Sequence, residues 1–375
     1  MSSFKIEDIP IFWREKRKIN KAPGIPNIAP AHLILDQKFG FIKQKYDPTI
    51  SKILNKIYSQ EENIGYLQDD NPLSKLYGTE FLNFITDNSN SNSSICEIGC
   101  GGCFTLKELQ RLNYEVFGID PSPISKEIGN NQHIEIINEF FPSKKIKRKF
   151  DYIIHYDVLE HIWEPFEFLC DISNSLTTNG KTIFVIPDST DQINNGDISL
   201  FLHQHINYFT LSSISCLLYA CGFNEINIKR SKITGTLLCV ASKSNPTTNS
   251  ISESDLKKAI DESLIFFCSV EYNMKRIQAK VDEITEKNNI GLYPPLRAIP
   301  YLSKIIIKKP ERFFFIDDNP KVNDCYICDI PIPIKPIKET LKEKVNHFLV
   351  ASHTFKQIMT KNIKSVKSDA KIIYL

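Results

Sequence analysis

The sequence predicts an α/β protein: a mostly parallel sheet flanked by helices and closed by an antiparallel edge, then a second, smaller α/β unit. Three observations carry this. Ile95-Cys96-Glu97-Ile98-Gly99-Cys100-Gly101-Gly102 reads as a buried strand entering a glycine-rich turn, and a second strand, Val116-Phe117-Gly118-Ile119, ends in Asp120. Strand and helix patterns then alternate, as parallel sheets require, with strands at 95–98, 116–119, 134–137, 152–155 and 182–186. A closing pair at 225–229 and 237–241 fits an antiparallel edge. Finally, Leu256, Ile260, Leu264, Phe267, Met274, Ile277, Val281 and Ile284 make one apolar stripe on a long helix, and strand patterns follow at 312–316, 347–352 and 371–374.

These patterns divide the chain into a lead-in with helical segments (1–90), a core (91–243) and a C-terminal unit (251–375). Pro10, Pro23, Pro26 and Pro30 break the lead-in, because each biases the residue before it away from helix. Helical patterning follows at 49–58 and 73–85. Polar linkers at 88–94 and 242–250 separate the three parts.

Bulk properties set limits. At 375 residues, two or three domains are expected. A net charge of +2 gives no electrostatic footprint for nucleic acid. Lys144-Lys145-Ile146-Lys147-Arg148-Lys149 is a basic run without interleaved aromatics, so it reads as a solvated turn. No uncharged apolar run reaches membrane-span length, and the first residues carry acids where a signal peptide needs basic ones. Cytoplasm is the expected compartment, with neither membrane nor nucleic acid as a partner. Of ten cysteines, Cys170, Cys216, Cys221, Cys239 and Cys268 lie in apolar patterns and read as small buried hydrophobes. Cys325 and Cys328 have metal or redox spacing but no second pair nearby, and no metal site is expected.

The glycine turn narrows the ligand. Gly99 and Gly101 fit the first positions of a dinucleotide fingerprint, yet Phe104 stands where its third glycine belongs. The wording E-x-G-C-G-G instead resembles the first motif of class I S-adenosylmethionine-dependent methyltransferases, with Cys103 at a position where they usually carry a further glycine. Asp157-Val158-Leu159-Glu160-His161, at the end of a strand beginning near Phe150, resembles their fourth motif, and the passage from Leu176 to Pro187, read as helix end, polar turn and buried strand, resembles their entry into the fifth strand. The resemblance implies a Rossmann-like fold and S-adenosylmethionine as cofactor. Together with the tail and its Asp317-Asp318-Asn319-Pro320-Lys321 element, the order of parts is similar to sugar C-methyltransferases, although the four-cysteine zinc module that usually opens them is missing. Where their tail strand meets a glycine turn, this chain has Tyr293-Pro294-Pro295. The tail then reads as a wall or lid for the acceptor rather than a nucleotide site.

Roles follow from that likeness and from strand-end chemistry. Glu97 would order the glycine loop and the methionine ammonium, alongside Gly99, Cys100 and Gly101. Asp120 would take the ribose hydroxyls, Asn138 or Glu139 would border adenine, and Asp157 would complete the cofactor site. The alternative for Asp120 is a helix cap before Pro121. His203-Gln204-His205 matches a Y-H-E-H segment whose last histidine is a candidate base, which makes His205 the leading catalytic residue, with His161 and His203 behind it. Gln204 and Leu202 replace the family's glutamate and tyrosine, leaving oxygen attack beside carbon attack. The acceptor expected is a small molecule, a sugar or nucleotide-linked sugar. Rivals are O- or N-methylation of another small molecule, a nicotinamide oxidoreductase, and a silent methyltransferase-like scaffold.

Overall fold

The structure is a computed structural model describing residues 2–11, 15–16, 28–59, 72–233, 235–243, 251–341 and 343–375. Pro23, Pro26 and the linker residues 244–250 lie outside the described residues.

The lead-in contains more sheet than its prolines suggest. β1 (Ser3–Pro10) runs antiparallel to β3 (Ile28–Leu35), and β3 pairs with β4 (Ile42–Gln44). The two-residue β2 (Glu15–Lys16) lies between β1 and β3 in sequence and pairs elsewhere. In β3 buried and exposed residues alternate along most of the strand, the mark of a half-buried sheet. Pro10 closes the edge strand β1, and Pro30 sits at the register shift between the Ile6–Ala31 and Ile9–Ala29 pairs, so neither breaks the ladder. Helices α1 (Pro48–Tyr58) and α2 (Pro72–Asn88) follow; Asp47 caps α1 by accepting from the N–H groups of Thr49 and Ile50.

The central sheet is the predicted one. β5 (Ser94–Ile98), α3 (Phe104–Arg111), β6 (Glu115–Ile119), α4 (Pro123–Asn131), β7 (Glu135–Ile137), β8 (Phe150–Tyr156), α5 (Pro165–Ser175) and β9 (Leu176–Pro187) alternate along the chain. After α6 (Thr190–Asn195), β10 (Asn207–Tyr208) and α7 (Leu211–Ala220), the hairpin β11 (Glu225–Arg230) and β12 (Thr236–Ser242) closes the sheet antiparallel. The order is β11-β12-β9-β8-β5-β6-β7. Alternate strand residues feed two cores, Cys96, Ile98 and Ile153 on one face, Ile95, Tyr152 and Ile154 on the other, so both faces are dry. One expectation fails here: Leu176 to Gly180 is not a helix end and turn but the start of β9. Phe150 pairs with Leu176 and Tyr152 with Lys181, so the polar residues between are a bulge inside the ladder.

The long helix α8 (Glu253–Thr285) joins this sheet to the rest. Its C-terminal half buries Ile277, Val281 and Ile284 of the predicted stripe; in its N-terminal half the predicted Phe267 is buried, Leu256, Ile260 and Leu264 are half-buried, and Ala259, Ser263, Phe266 and Val270 turn inward beside them. The cause is close packing on Gly40, whose backbone (φ +78°) comes so near that an added Cβ would lie 2.9 Å from the Ala259 carbonyl carbon. Ser263 Oγ donates to the Gly40 carbonyl at 2.7 Å. The same rotation leaves Cys268 exposed, contrary to its reading as a buried hydrophobe.

The C-terminal unit holds β13 (Ile290–Tyr293), α9 (Pro295–Lys308), β14 (Phe313–Ile316), β15 (Tyr326–Ile327), β16 (Ile334–Lys335), β17 (His347–Val350), α10 (Lys356–Val366) and β18 (Lys371–Tyr374). Its sheet is wholly parallel, ordered β16-β14-β13-β17-β18. β15 joins β2, so Cys325 and Cys328 flank a strand pair, and no disulfide links them. Among the described residues no helix is long and apolar enough to cross a membrane.

Candidate active site

Open parallel sheets bind ligands outside the carboxyl ends of their strands, where the strand order reverses. In the central sheet β5 lies between β6 and β8, so that point falls between β5 and β8. The glycine loop leaves β5 there, and Asp157 leaves β8. The two mouths touch: a Cβ added to Gly99 (φ +72°) would lie 2.7 Å from Val158 Cγ2. Asp157 itself holds φ +51°, a left-handed conformation unusual for a residue with a side chain.

The predicted cofactor residues gather on this rim. Gly99 N–H donates to the Ile119 carbonyl at 2.8 Å, tying the loop to β6. Asp120 Oδ2 accepts from Gly101 N–H at 2.9 Å and Oδ1 from Ser122 N–H at 2.8 Å, so it does cap the turn before α4 while facing the loop. Burial raises its pKa, and those two N–H groups oppose the rise. Asn138 Nδ2 donates to the Asp120 carbonyl at 3.0 Å. Glu139 points away, into Ser143 and Lys145. Glu97 is buried beneath the loop, where burial holds its carboxyl well above the usual range. Cys100 and Cys103 are buried too, and Cys103 N–H donates to the Cys100 carbonyl at 2.8 Å. Cys103 adopts φ +58°, a left-handed conformation that a glycine would take without strain.

The acceptor side is built from three distant segments. Residues 202–207 are stitched on one flank to β4: Gln44 Nε2 donates to the carbonyls of His205 (2.7 Å), His203 (3.0 Å) and Leu202 (3.1 Å), and β10 pairs antiparallel with β4. On the other flank they grip the turn after β8. Ile206 N–H donates to the Glu160 carbonyl at 2.6 Å, and Asn207 Nδ2 to Ile162 O at 2.6 Å and Leu159 O at 3.2 Å. This brings His205 beside His161, with ring centroids 5.0 Å apart and nearly perpendicular.

His161 is tautomerically fixed. Its Nδ1 lies 2.6 Å from the Gln204 carbonyl, which can only accept, so Nδ1 carries the proton. The Tyr58 hydroxyl, from α1, flanks the same nitrogen at 3.2 Å. The lone pair on Nε2 then faces Glu160, 3.7 Å away. Burial lowers the pKa of His161 to about 4 and that of His205 well below the ordinary imidazole value, so both rings are neutral near pH 7. Burial also lifts Glu160 well above the carboxylate range and Asp157 to about 7. Neither Glu160 oxygen, nor Asp157 Oδ1, has a hydrogen-bond partner among the described residues. Glu160, His161 and His205 each offer one ligand atom, all within 4.8 Å of one another, a third donor that the sequence had not revealed.

His203 is not part of this group. It donates from Nε2 to the Ala29 carbonyl at 3.2 Å and packs edge-on against Phe201, on the side of the loop facing β3. A tight turn, closed by His205 N–H donating to the Leu202 carbonyl, sends the two histidines in different directions.

Residues 73–227, which supply the glycine loop, Asp120, Asp157, Glu160, His161 and His205, match the family model described as a methyltransferase domain. By that match the segment is a methyltransferase domain. The cofactor of such a domain is S-adenosylmethionine. A mitochondrial ubiquinone biosynthesis O-methyltransferase of Schizosaccharomyces pombe is 27% identical over 125 residues, covering 30% of this chain and 46% of that protein. A ubiquinone biosynthesis O-methyltransferase of Nitrosococcus oceani is 25% identical over 142 residues, covering 36% and 57%. The chain thus spans about half the length of the curated relatives it matches. Among solved structures, the 1,6-didemethyltoxoflavin-N1-methyltransferase of Burkholderia thailandensis is 14% identical with a TM-score of 0.41, covering 55% of this chain and 96% of that one.

Tyr58, Gln44 and Glu160 were not singled out as site residues by the sequence. Glu160 lay inside a recognised motif but read equally as a helix brace. The other two sit in the lead-in, where only the period-two alternation of β3 pointed to a sheet.

Proposed function

We propose that the protein transfers the methyl group of S-adenosylmethionine to a hydroxyl of a small-molecule acceptor held beside His205. The observation that carries this reading is the cluster of buried Glu160 with half-buried His161 and His205 next to the β5–β8 crevice. Methyl transfer from a sulfonium is an in-line displacement, with the nucleophile held about 3 Å from the methyl carbon. A neutral His205 imidazole has a lone pair for the hydroxyl proton as the oxygen attacks. The proton stays on His205 as the sulfonium becomes a neutral thioether, so the positive charge lost at sulfur reappears on the imidazolium. Asp120, Gly99 and Gly101 would hold the cofactor, with Asn138 bracing Asp120. Oxygen is favoured over carbon because Gln204 and Leu202 offer no ionisable or hydroxyl group to help stabilise an enolate, and the curated relatives bear O-methyltransferase names. A sugar hydroxyl is the acceptor that the His203-Gln204-His205 segment suggests; residues after α8 would wall the acceptor site.

Two measurements test this. Calorimetry should show binding of S-adenosylmethionine and none of NAD; the reverse result would sink the reading. In heavy water without methyl donor, a keto-sugar acceptor should keep its α-hydrogen. Deuterium uptake there would move the reaction to carbon.

A second reading has a specific observation behind it. Glu160, His161 Nε2 and His205 could hold a divalent cation, and the Nδ1–H bond from His161 to Gln204 is the outer hydrogen bond that a metal-bound histidine usually makes. The cation would polarise the acceptor hydroxyl. Turnover unchanged after stripping with a chelator would dismiss it.

A further inference from the structure

Arg297, in the first turn of α9, is a cation in the acceptor region with no counter-ion of its own. Its Nη1 donates to the carbonyls of Ser199 (3.1 Å) and Leu200 (3.4 Å), which pins one edge of the guanidinium. Among the described residues Nη2 and Nε make no protein hydrogen bond, and no carboxylate lies within ion-pair distance. The one acid whose charge bears on it is Asp197. That carboxylate is already engaged by His353 Nε2 and the Tyr301 hydroxyl, each at 2.7 Å, and by the Ser199 N–H and hydroxyl at 2.7 and 2.8 Å.

Position supplies the second half of the argument. Its anchors, the Ser199 and Leu200 carbonyls, lead directly into the Leu202–His205 loop that carries the proposed base, and its charge also bears on His205 and the Tyr208 hydroxyl. Arg297, His161 and His205 are all enclosed by packing yet keep some exposed surface, as side chains lining a cleft do. A guanidinium held in such a place without a partner is costly, and its free planar edge matches the two oxygens of a carboxylate or phosphate.

We propose that Arg297 binds an anionic group, a carboxylate or a phosphate, on the methyl acceptor and thereby selects the substrate and orients its hydroxyl toward His205. This rests on the reading of the His205 side as the acceptor pocket. The electrostatics are consistent. The sulfonium of the cofactor and Arg297 are both positive, so an anion between them relieves their repulsion.

The test uses the full chain saturated with S-adenosylhomocysteine. Inorganic phosphate and benzoate are titrated in separately by calorimetry, and Arg297 is challenged with phenylglyoxal, its modification being mapped by mass spectrometry. At least one anion should bind and protect Arg297, and which one protects identifies the group recognised. Arg297→Gln should weaken that anion tenfold or more while leaving S-adenosylhomocysteine affinity within twofold. Equal modification of Arg297 with and without both anions, or anion affinity unchanged in Arg297→Gln, overturns the proposal. If the variant fails to fold, protection in the unaltered protein decides alone. Loss of S-adenosylhomocysteine binding by the unaltered protein would count against the methyltransferase reading itself, whereas binding without protection counts only against Arg297.

Discussion

Two sheets in this chain share one topology and differ in what their strand ends offer. In both, the first strand lies inside, the second and third extend to one side, and the fourth and fifth to the other: β5 with β6, β7, β8 and β9, and β13 with β14, β16, β17 and β18. In both, the second strand ends in an acid, Asp120 after β6 and Asp317 after β14. The turn after the first strand separates them. The glycine turn keeps its backbone N–H groups, those of Gly99 and Gly101 tying it to Ile119 and Asp120, whereas Pro294 and Pro295 have none at the start of α9. Asp120, at the end of β6, correspondingly meets Gly101 N–H in the turn after the neighbouring β5, while among the described residues Asp317 accepts from its own turn, at Asn319 N–H. Topology provides a place for a ligand; the turn chemistry decides whether a nucleotide can use it.

The comparison can be broken at its active end first. His205→Ala should lower turnover on the true acceptor by about 10²–10⁴, the usual worth of general-base catalysis, with S-adenosylmethionine affinity unchanged by calorimetry. Near-normal turnover would shift the base to His161.

The paired acids give a smaller and sharper contrast. Asp120→Ala should weaken S-adenosylmethionine by about 1–3 kcal/mol, the scale of hydrogen bonds to a charged group. Asp317→Ala should leave that affinity untouched. Equal losses in the two variants would mean that the second sheet also contacts the cofactor.

The smallest effect lies where the sheets meet. His353, just after β17, pairs with Asp197, in the segment after α6, at 2.7 Å. The hydrogen bond to Asp197 raises the His353 pKa above its ordinary 6.5. Asp197 falls below 3.8, because its bonds to His353, Ser199 and Tyr301 outweigh its burial. The raised histidine contributes stability in full below pH 6.5 and loses it as pH climbs through the higher folded value. The lowered acid contributes above pH 3.8 and loses it as pH drops through the lower folded value. Stability from this pair should therefore be greatest between these limits, and His353→Ala should remove the alkaline decline at a cost of about 1 kcal/mol. Melting curves at pH 6 and pH 9 check this: an equal fall in the variant and the parent would assign the decline to other groups.

Legibility in the sequence followed the distance over which an interaction acts. The glycine loop, Asp120 and Asp157 could be read because each is a strand end followed by its own turn. The Asp120 contact with Gly101 follows from two adjacent strands. The pairing of β10 with β4 joins residues far apart in the chain, and no local pattern in Asn207-Tyr208 announces it. Gln44 and Arg297 looked like ordinary polar residues, since what matters in them is the set of carbonyls and the missing counter-ion that only the assembled fold supplies. The His203 and His205 pair misled for the opposite reason: spacing suggested a shared role, and a turn between them sent His203 to Ala29. The start of β9 was hidden because a bulge carries the same polar residues as a loop.

The bond from Gln44 to the loop at Leu202–His205 also sets an order of construction. On a ribosome, synthesis proceeds from the amino end, so β4 exists well before the loop it must hold. The nucleotide crevice is complete once β9 has emerged, and the histidine loop can then close onto a strand already waiting. Arg297 arrives only after all of α8 has been made. On the roles proposed above, a growing chain would acquire the residues that grip its methyl donor first, the proposed base second and Arg297 last, so that a partly made polypeptide would hold the donor before it could select what receives it.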